Sequence, residues 1–167
     1  MRILLTGLML SLAALLPLCP ALAQTAQRTL IVGAGNLQIT NDQKLMLEAA
    51  NKFITRDYAA AENLYTQALA VNSGNVDAYL QRAAVRREMH NANGMASDAK
   101  MAVTLADSAL QQNPNDPNLY YRRGMGYRLL GQFDQARSDI ASGMRIGGPD
   151  TWNTDLEAIE LERRASR

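Results

Sequence analysis

The chain is poor in several things that would each have given it away. Its 167 residues contain one cysteine, one histidine, one tryptophan and only 5% aromatics, and its formal net charge is +1. The lone Cys19 sits in a segment expected to be removed, so the remaining chain has no disulfide or thiolate chemistry and must be stabilised by burial. With one histidine, His90, and no cysteine beside it, a zinc site lacks its ligands. Balanced charge argues against nucleic acid, which calls for a clear excess of Lys and Arg, and against a polybasic membrane anchor. No apolar run reaches the roughly 18–20 residues of a membrane span.

The longest apolar stretch has another reading. Arg2 precedes Ile3–Leu16, Pro17 and Pro20 follow, and Ala21-Leu22-Ala23 has the small-x-small pattern of a cleavage site. This predicts a secretory signal over residues 1–23, a chain continuing from Gln24, and an exported protein, periplasmic or secreted. Leu18, before Cys19, is not the small residue that a lipidation site needs. Arg2 is the only charged side chain in the segment, so its removal leaves a formally neutral chain, +1 less 1.

Next comes "TLIVGAGNLQIT", Thr29–Thr40. A β-branched run before Gly33-x-Gly35 suggests a dinucleotide site. The third glycine would fall at Gln38, and a second extended run follows where a helix should begin, so the fingerprint fails. Two extended runs around "GAGN" predict an extended or hairpin arm over residues 24–40. Such a hairpin is marginal alone; it packs on the rest, pairs with a partner, or stays free. Thr40 and Gln43 have the spacing of a capping box opening the first helix.

What the chain has in abundance is repetition. Leu45 and Tyr79 lie 34 residues apart, as do Ala109-Leu110 and Gly143-Met144, while Ala68-Leu69 and Ala109-Leu110 lie 41 apart. Seven extra residues are nearly two helical turns, so they lengthen a helix without rotating its apolar face. The 3–4 periodicity through Met95, Ala99, Ala102, Leu105, Ala106, Ala109 and Leu110 places them in the helix over 95–112, in preference to a longer 91–97 loop. The register places Ala109 and Ala136 between helices. Asp98, Asp107 and Asp139 have the spacing of solvent-facing positions.

A 34-residue period with helix–turn–helix texture resembles the tetratricopeptide repeat family. "NLYYRRGMGYRLLGQFDQARSDIASGMRIG" carries the likeness best, with Gly124, Tyr127, Gly131, Phe133, Ala136, Ile140 and Gly143 at the family's small and large positions. The first copy has Tyr58, Ala61, Tyr65, Ala68 and Leu69, with Arg56 where the turn glycine is usual; the middle copy ends at Pro114. The expected fold is all-α: a superhelix of about three helix–turn–helix repeats over 41–148, with a capping helix and charged tail over 149–167. Thr154-x-x-Glu157 reads as a capping box, and Trp152, Leu156 and Ile159 form one apolar stripe.

No catalytic constellation stands out, and the sequence indicates no cofactor and no metal. The resemblance implies a non-enzymatic protein–protein interaction module or scaffold of a bacterial-type envelope; the alternative is an accessory or divergent envelope hydrolase with an unrecognised carboxylate site. In the family, first helices line the groove. That gives a partner-binding set of Leu80, Gln81, Ala84 and Arg87, then Tyr121, Arg122, Met125 and Arg128. Guanidinium groups there suit an acidic segment or C-terminal carboxylate of a protein or peptide. The competing reading is that the arginines are surface charges pairing with Asp77, Glu88 or Asp134. Met46 and Ala50 stand where the family's lysine and asparagine carboxylate clamp would begin, so that clamp is not expected.

Overall fold

The computed structural model describes residues 39–166. The signal segment with Cys19, the Gly33 and Gly35 turn and the arm as far as residue 38 lie outside the described residues. Within them the chain forms seven α-helices and no strand: α1 (Asn41–Ile54), α2 (Tyr58–Val71), α3 (Val76–Glu88), α4 (Ala92–Gln112), α5 (Pro117–Leu129), α6 (Phe133–Arg145) and, after a 3-10 turn at Asp150–Trp152, α7 (Asn153–Ala165). They pack as consecutive pairs, α1 on α2, α3 on α4 and α5 on α6, with α7 closing the end on α6. The fold is thus an all-α repeat superhelix of three helical pairs and a cap.

The three turns inside the pairs are copies of one another. Arg56, His90 and Gly131 hold φ of 61, 58 and 72°. Each is followed by an amide that reaches back to a carbonyl five residues earlier: Asp57 to Lys52, Asn91 to Arg86, Gln132 to Tyr127, at 2.8–2.9 Å. This is the left-handed helix stop that glycine suits best. Only the third copy has glycine; in the first two, an arginine and a histidine take a conformation that costs L-residues roughly 1–2 kcal/mol, closed by the same backbone bonds. Asp57 and Asn91 then cap the next helices by accepting from Ala60 and Gly94.

The seven-residue insertion lies where the periodicity put it. α4 has 21 residues against 14 in α2, one unbroken helix that is roughly 10 Å longer at 1.5 Å per residue.

Small residues set the helix spacing. A Cβ on Gly124 would come within 2.9 Å of the Ile140 side chain, and one on Gly126 within 2.7 Å of Val103. Two glycines in a thirteen-residue helix are poor helix formers. Here close approach to α6 on one side and α4 on the other outweighs propensity. Tyr65 and Val85 with Ala49 and Ala61 fill the first core; Ile140, Ile159 and Trp152 with Ala136 fill the second.

Two expectations need correction. Ala136 is fully buried, but Ala109 is only partly so; Ala99, Ala102, Ala106 and Leu110 form the buried edge of α4. In the longer helix the buried stripe drifts past Ala109, because 3.6 residues per turn do not divide seven. Ala136→Leu is therefore expected to cost about 1–3 kcal/mol by overpacking, and Ala109→Leu well under half of that. Thermal melts check it; equal losses would mean that the register is wrong. The second correction is the Thr154–Glu157 capping box, which does not form. The 3-10 turn runs directly into α7, so Thr154 already lies inside the helix and its hydroxyl donates to the Thr151 carbonyl. At the other end, the Thr40 amide does donate to Gln43 Oε1 at 3.0 Å.

Asp42, in the first turn of α1, accepts from Asn72 and Asn75 at 3.1 and 3.2 Å and from the Thr40 hydroxyl. These bonds, Thr40 foremost, lower its pKa from 3.8 to about 2. A folded pKa below the unfolded one means that the unfolded chain binds the extra proton. This contribution is fully present above pH 3.8 and is lost as pH falls to about 2. Asp42→Asn is expected to flatten the stability profile in that window, measured by denaturant titration at successive pH values.

Candidate functional site

The first helices of the second and third pairs, α3 and α5, touch directly. Along each, side chains at i, i+1, i+4 and i+7 share a face. On α3 these are Leu80, Gln81, Ala84 and Arg87; on α5, Tyr121, Arg122, Met125 and Arg128. All eight line one cavity of about 250 Å³, together with Asp77 and Leu129. The cavity shares Arg87, Arg128 and Leu129 with a wider groove of about 580 Å³ that continues past His90, Met95 and Phe133. Leu80, Ala84, Met125 and Leu129 make an apolar wall, and the arginines edge it.

Those arginines are not equally free. Arg122 donates Nε and Nη2 to both oxygens of Asp77 at 2.8 and 2.9 Å. Arg128 grips Glu162 of α7 in the same two-pronged way at 3.0 and 2.7 Å, with Asp155 at 3.5 Å. The Glu162 carboxylate holds the Arg128 pKa up, and Arg128 holds that of Glu162 down. Arg87 has only a looser contact to its neighbour Glu88, at 3.5 Å, and its side chain is 53% exposed. Of the three arginines, Arg122 and Arg128 are thus engaged by carboxylates of the chain itself, and Arg87 is the most exposed. Asp77 and Glu88 are the internal partners that the competing reading named; Asp134 is not among the ion-paired carboxylates of the described residues.

The cause is repeat geometry. α7, packed on α6, sends side chains to α5 at a 34-residue offset, Asp155 to Tyr121 and Glu162 to Arg128. Tyr121 donates to Asp155 at 3.0 Å and stacks on Trp152 with ring centroids 4.4 Å apart. Burial first, then the Asp155 carboxylate, pushes the Tyr121 hydroxyl up to about 12. Tyr121 therefore stays a neutral donor and a wall, with no acid–base role near neutral pH.

A second charged system was not legible as such. Asp98 and Asp139, expected at solvent-facing positions, are buried, with side chains 3% and 9% exposed; Asp107 is half-buried. Arg82 donates to both oxygens of Asp98, at 2.9 and 2.7 Å, and Arg86 joins it at 2.9 Å. Arg123 donates to both oxygens of Asp139, at 2.7 and 2.6 Å, and to Asp107. Each pair spans 16 residues, and the two pairs lie 41 residues apart, the repeat interval. Even the third contact is copied: Thr66, which Arg82 touches, lies 41 residues before Asp107. The signal was present as Arg, fifteen residues, Asp, twice in phase. The pattern alone does not show burial, because a charged residue on a helix reads as solvated until a second helix covers it. Both buried carboxylates are committed to arginine, so neither is a free acid or base. Among the described residues no three His, Cys, Asp or Glu side chains converge to hold a metal, and His90 is exposed at its turn.

The family model described as tetratricopeptide repeat matches residues 105–138, from the last turns of α4 through α5 into α6. Several solved structures share the fold. The Sgt2 TPR domain from Aspergillus fumigatus is 23% identical, with 75% of this chain and 80% of that one covered and a TM-score of 0.51. The TPR2B-domain:pHsp70 complex of yeast Sti1 is 15% identical, covering 75% and 98%, with a TM-score of 0.51. The Yersinia enterocolitica type III secretion chaperone SycD, in complex with a peptide of the translocator YopD, is 12% identical, covering 77% and 95%, again at 0.51. At these identities the likeness is one of fold.

Proposed function

We propose, from the premise that this chain is a tetratricopeptide repeat protein, that it is a non-enzymatic interaction module of a bacterial-type envelope, holding a protein or peptide in the groove between α3 and α5. The observation that carries this is the convergence of eight side chains from two helices on one cavity that opens into a wider groove. Two solved structures of the same fold are complexes, one with a YopD peptide and one named for pHsp70, which supports the groove as a peptide site. Leu80, Ala84 and Met125 supply apolar contact, and Arg87 is the guanidinium left for an acidic group or C-terminal carboxylate. Because Arg87 is half exposed, its charge acts chiefly on association rate and salt dependence.

A photo-crosslinking residue at Gln81, in the groove, is expected to yield a partner adduct from envelope extract. The same residue at Lys100, exposed on α4, is expected to yield none. Adducts at Lys100 alone, or equally at both, overturn the groove assignment. Export rests on Arg2, the Ile3–Leu16 run and Ala21-Leu22-Ala23. Sequencing of the protein recovered from the envelope fraction is expected to begin at Gln24; an intact Met1 overturns it.

A further inference from the structure

α7 behaves as the first helix of another pair. Its contacts to α5 fall at the 34-residue offset, so Glu157, Ala158 and Leu161 stand where Arg123, Gly124 and Tyr127 stand on α5. On α5, that face is the one α6 covers. Arg123 grips Asp139, Gly124 admits Ile140 and Ala136, and Tyr127 packs on the α6 core. On α7 the corresponding face is bare among the described residues. Leu161 is 66% exposed, Glu157 is exposed with no ion pair, and a groove of about 870 Å³ runs between α6 and α7. Its other carboxylate from α7, Glu160, is already taken by Arg163, Arg164 and Arg137.

The register also inverts the charge. At the two earlier steps the first helix presents an arginine to an aspartate on the helix that covers it. At this step it presents the Glu157 carboxylate, with a small residue beside it and a leucine one turn on. We infer that the α6–α7 groove is a second interaction surface, distinct from the α3–α5 groove, which takes an amphipathic helix of a partner protein carrying a lysine or arginine opposite Glu157. The helix lies on α7 as α6 lies on α5. Its apolar face covers Leu161 and Leu156, and its basic side chain meets Glu157, the carboxylate of α7 in that groove that has no cation among the described residues. Apolar burial supplies the attraction and the charge selects the occupant.

The probe is a peptide with the sequence of α6, Phe133–Arg145, held helical by a side-chain staple and carrying Asp139→Lys; the unaltered α6 sequence is the comparison. Each is titrated into the isotope-labelled chain. The lysine peptide is expected to shift the amide signals of Glu157, Ala158 and Leu161 and to bind roughly five-fold more tightly than the unaltered one, the upper range of a single exposed ion pair. Glu157→Lys in the chain, an exposed change that leaves the core alone, is expected to reverse the preference. Equal affinity for both peptides, no reversal, or shifts confined to Leu80 and Met125 overturn the proposal. So does a concentration-dependent shift of the same face without peptide, which would make a second copy of the chain its occupant.

Discussion

Arg123→Ala is expected to destabilise the fold by about 3–5 kcal/mol, the usual cost of stranding one member of a buried ion pair. Asp139 takes both its hydrogen bonds from Arg123, and its side chain is 9% exposed. Among the described residues no other side chain donates to Asp139. The equivalent change in the preceding pair, Arg82→Ala, is expected to cost less even though Asp98 is more deeply buried. Arg86 still donates to Asp98 at 2.9 Å after Arg82 is gone. Urea denaturation of the two variants gives the comparison; a larger loss for Arg82→Ala would show that burial, and not the count of remaining partners, governs the cost. Replacing both members together, Arg123→Met with Asp139→Leu, should recover most of the loss, since a well-packed apolar pair can equal a buried ion pair in stability. That recovery would mark the repeated Arg–Asp pairs as a device for holding register between helices.

Ile159→Ala is expected to cost about 2–5 kcal/mol and to loosen the cap before the rest. Ile159 is fully buried against Ala136, Ile140 and Trp152, and it is the one fully buried large side chain α7 contributes. The polar ties of α7, Glu162 to Arg128 and Asp155 to Tyr121, lie in partly exposed positions where each adds little. Trp152 is the sole tryptophan and stacks on Tyr121, so its fluorescence reports the seating of the cap directly. In the variant, the tryptophan transition should precede the loss of helical circular dichroism; in the parent chain the two should coincide. Coincident transitions in both would mean that α7 folds as one unit with α5 and α6. Repeat domains stabilise each layer through its neighbours, so the exposed edge is the expected place for such a separation.

Much of this architecture is legible in the residues. The 34- and 41-residue intervals place every described pair, and the unbroken periodicity from Met95 to Leu110 locates the insertion in α4. Both follow because apolar spacing and turn residues are local, and each repeat states them again. The eight groove positions are legible for the same reason, since they are a face of a helix carried through one repeat to the next. Arg56 and His90 show the limit of local reading. Neither is a turn residue by type, yet each holds the backbone conformation that glycine holds at position 131, closed by the same backbone bond to a carbonyl five residues back.

What only the tertiary structure decided is which charges meet. A helical pattern gives the side of a helix on which Asp98, Asp139, Arg122 or Arg128 lies, but not what covers that side. Covering by the next helix turns Asp98 and Asp139 from solvent-facing acids into buried partners of arginine. The seating of α7 on α6 brings Glu162 to Arg128 and leaves Arg87 as the open guanidinium of the groove. The same packing leaves Glu157 without a cation among the described residues. Periodicity is a property of one helix and is written in its residues; pairing depends on the offset between two helices, which is set only when both are packed.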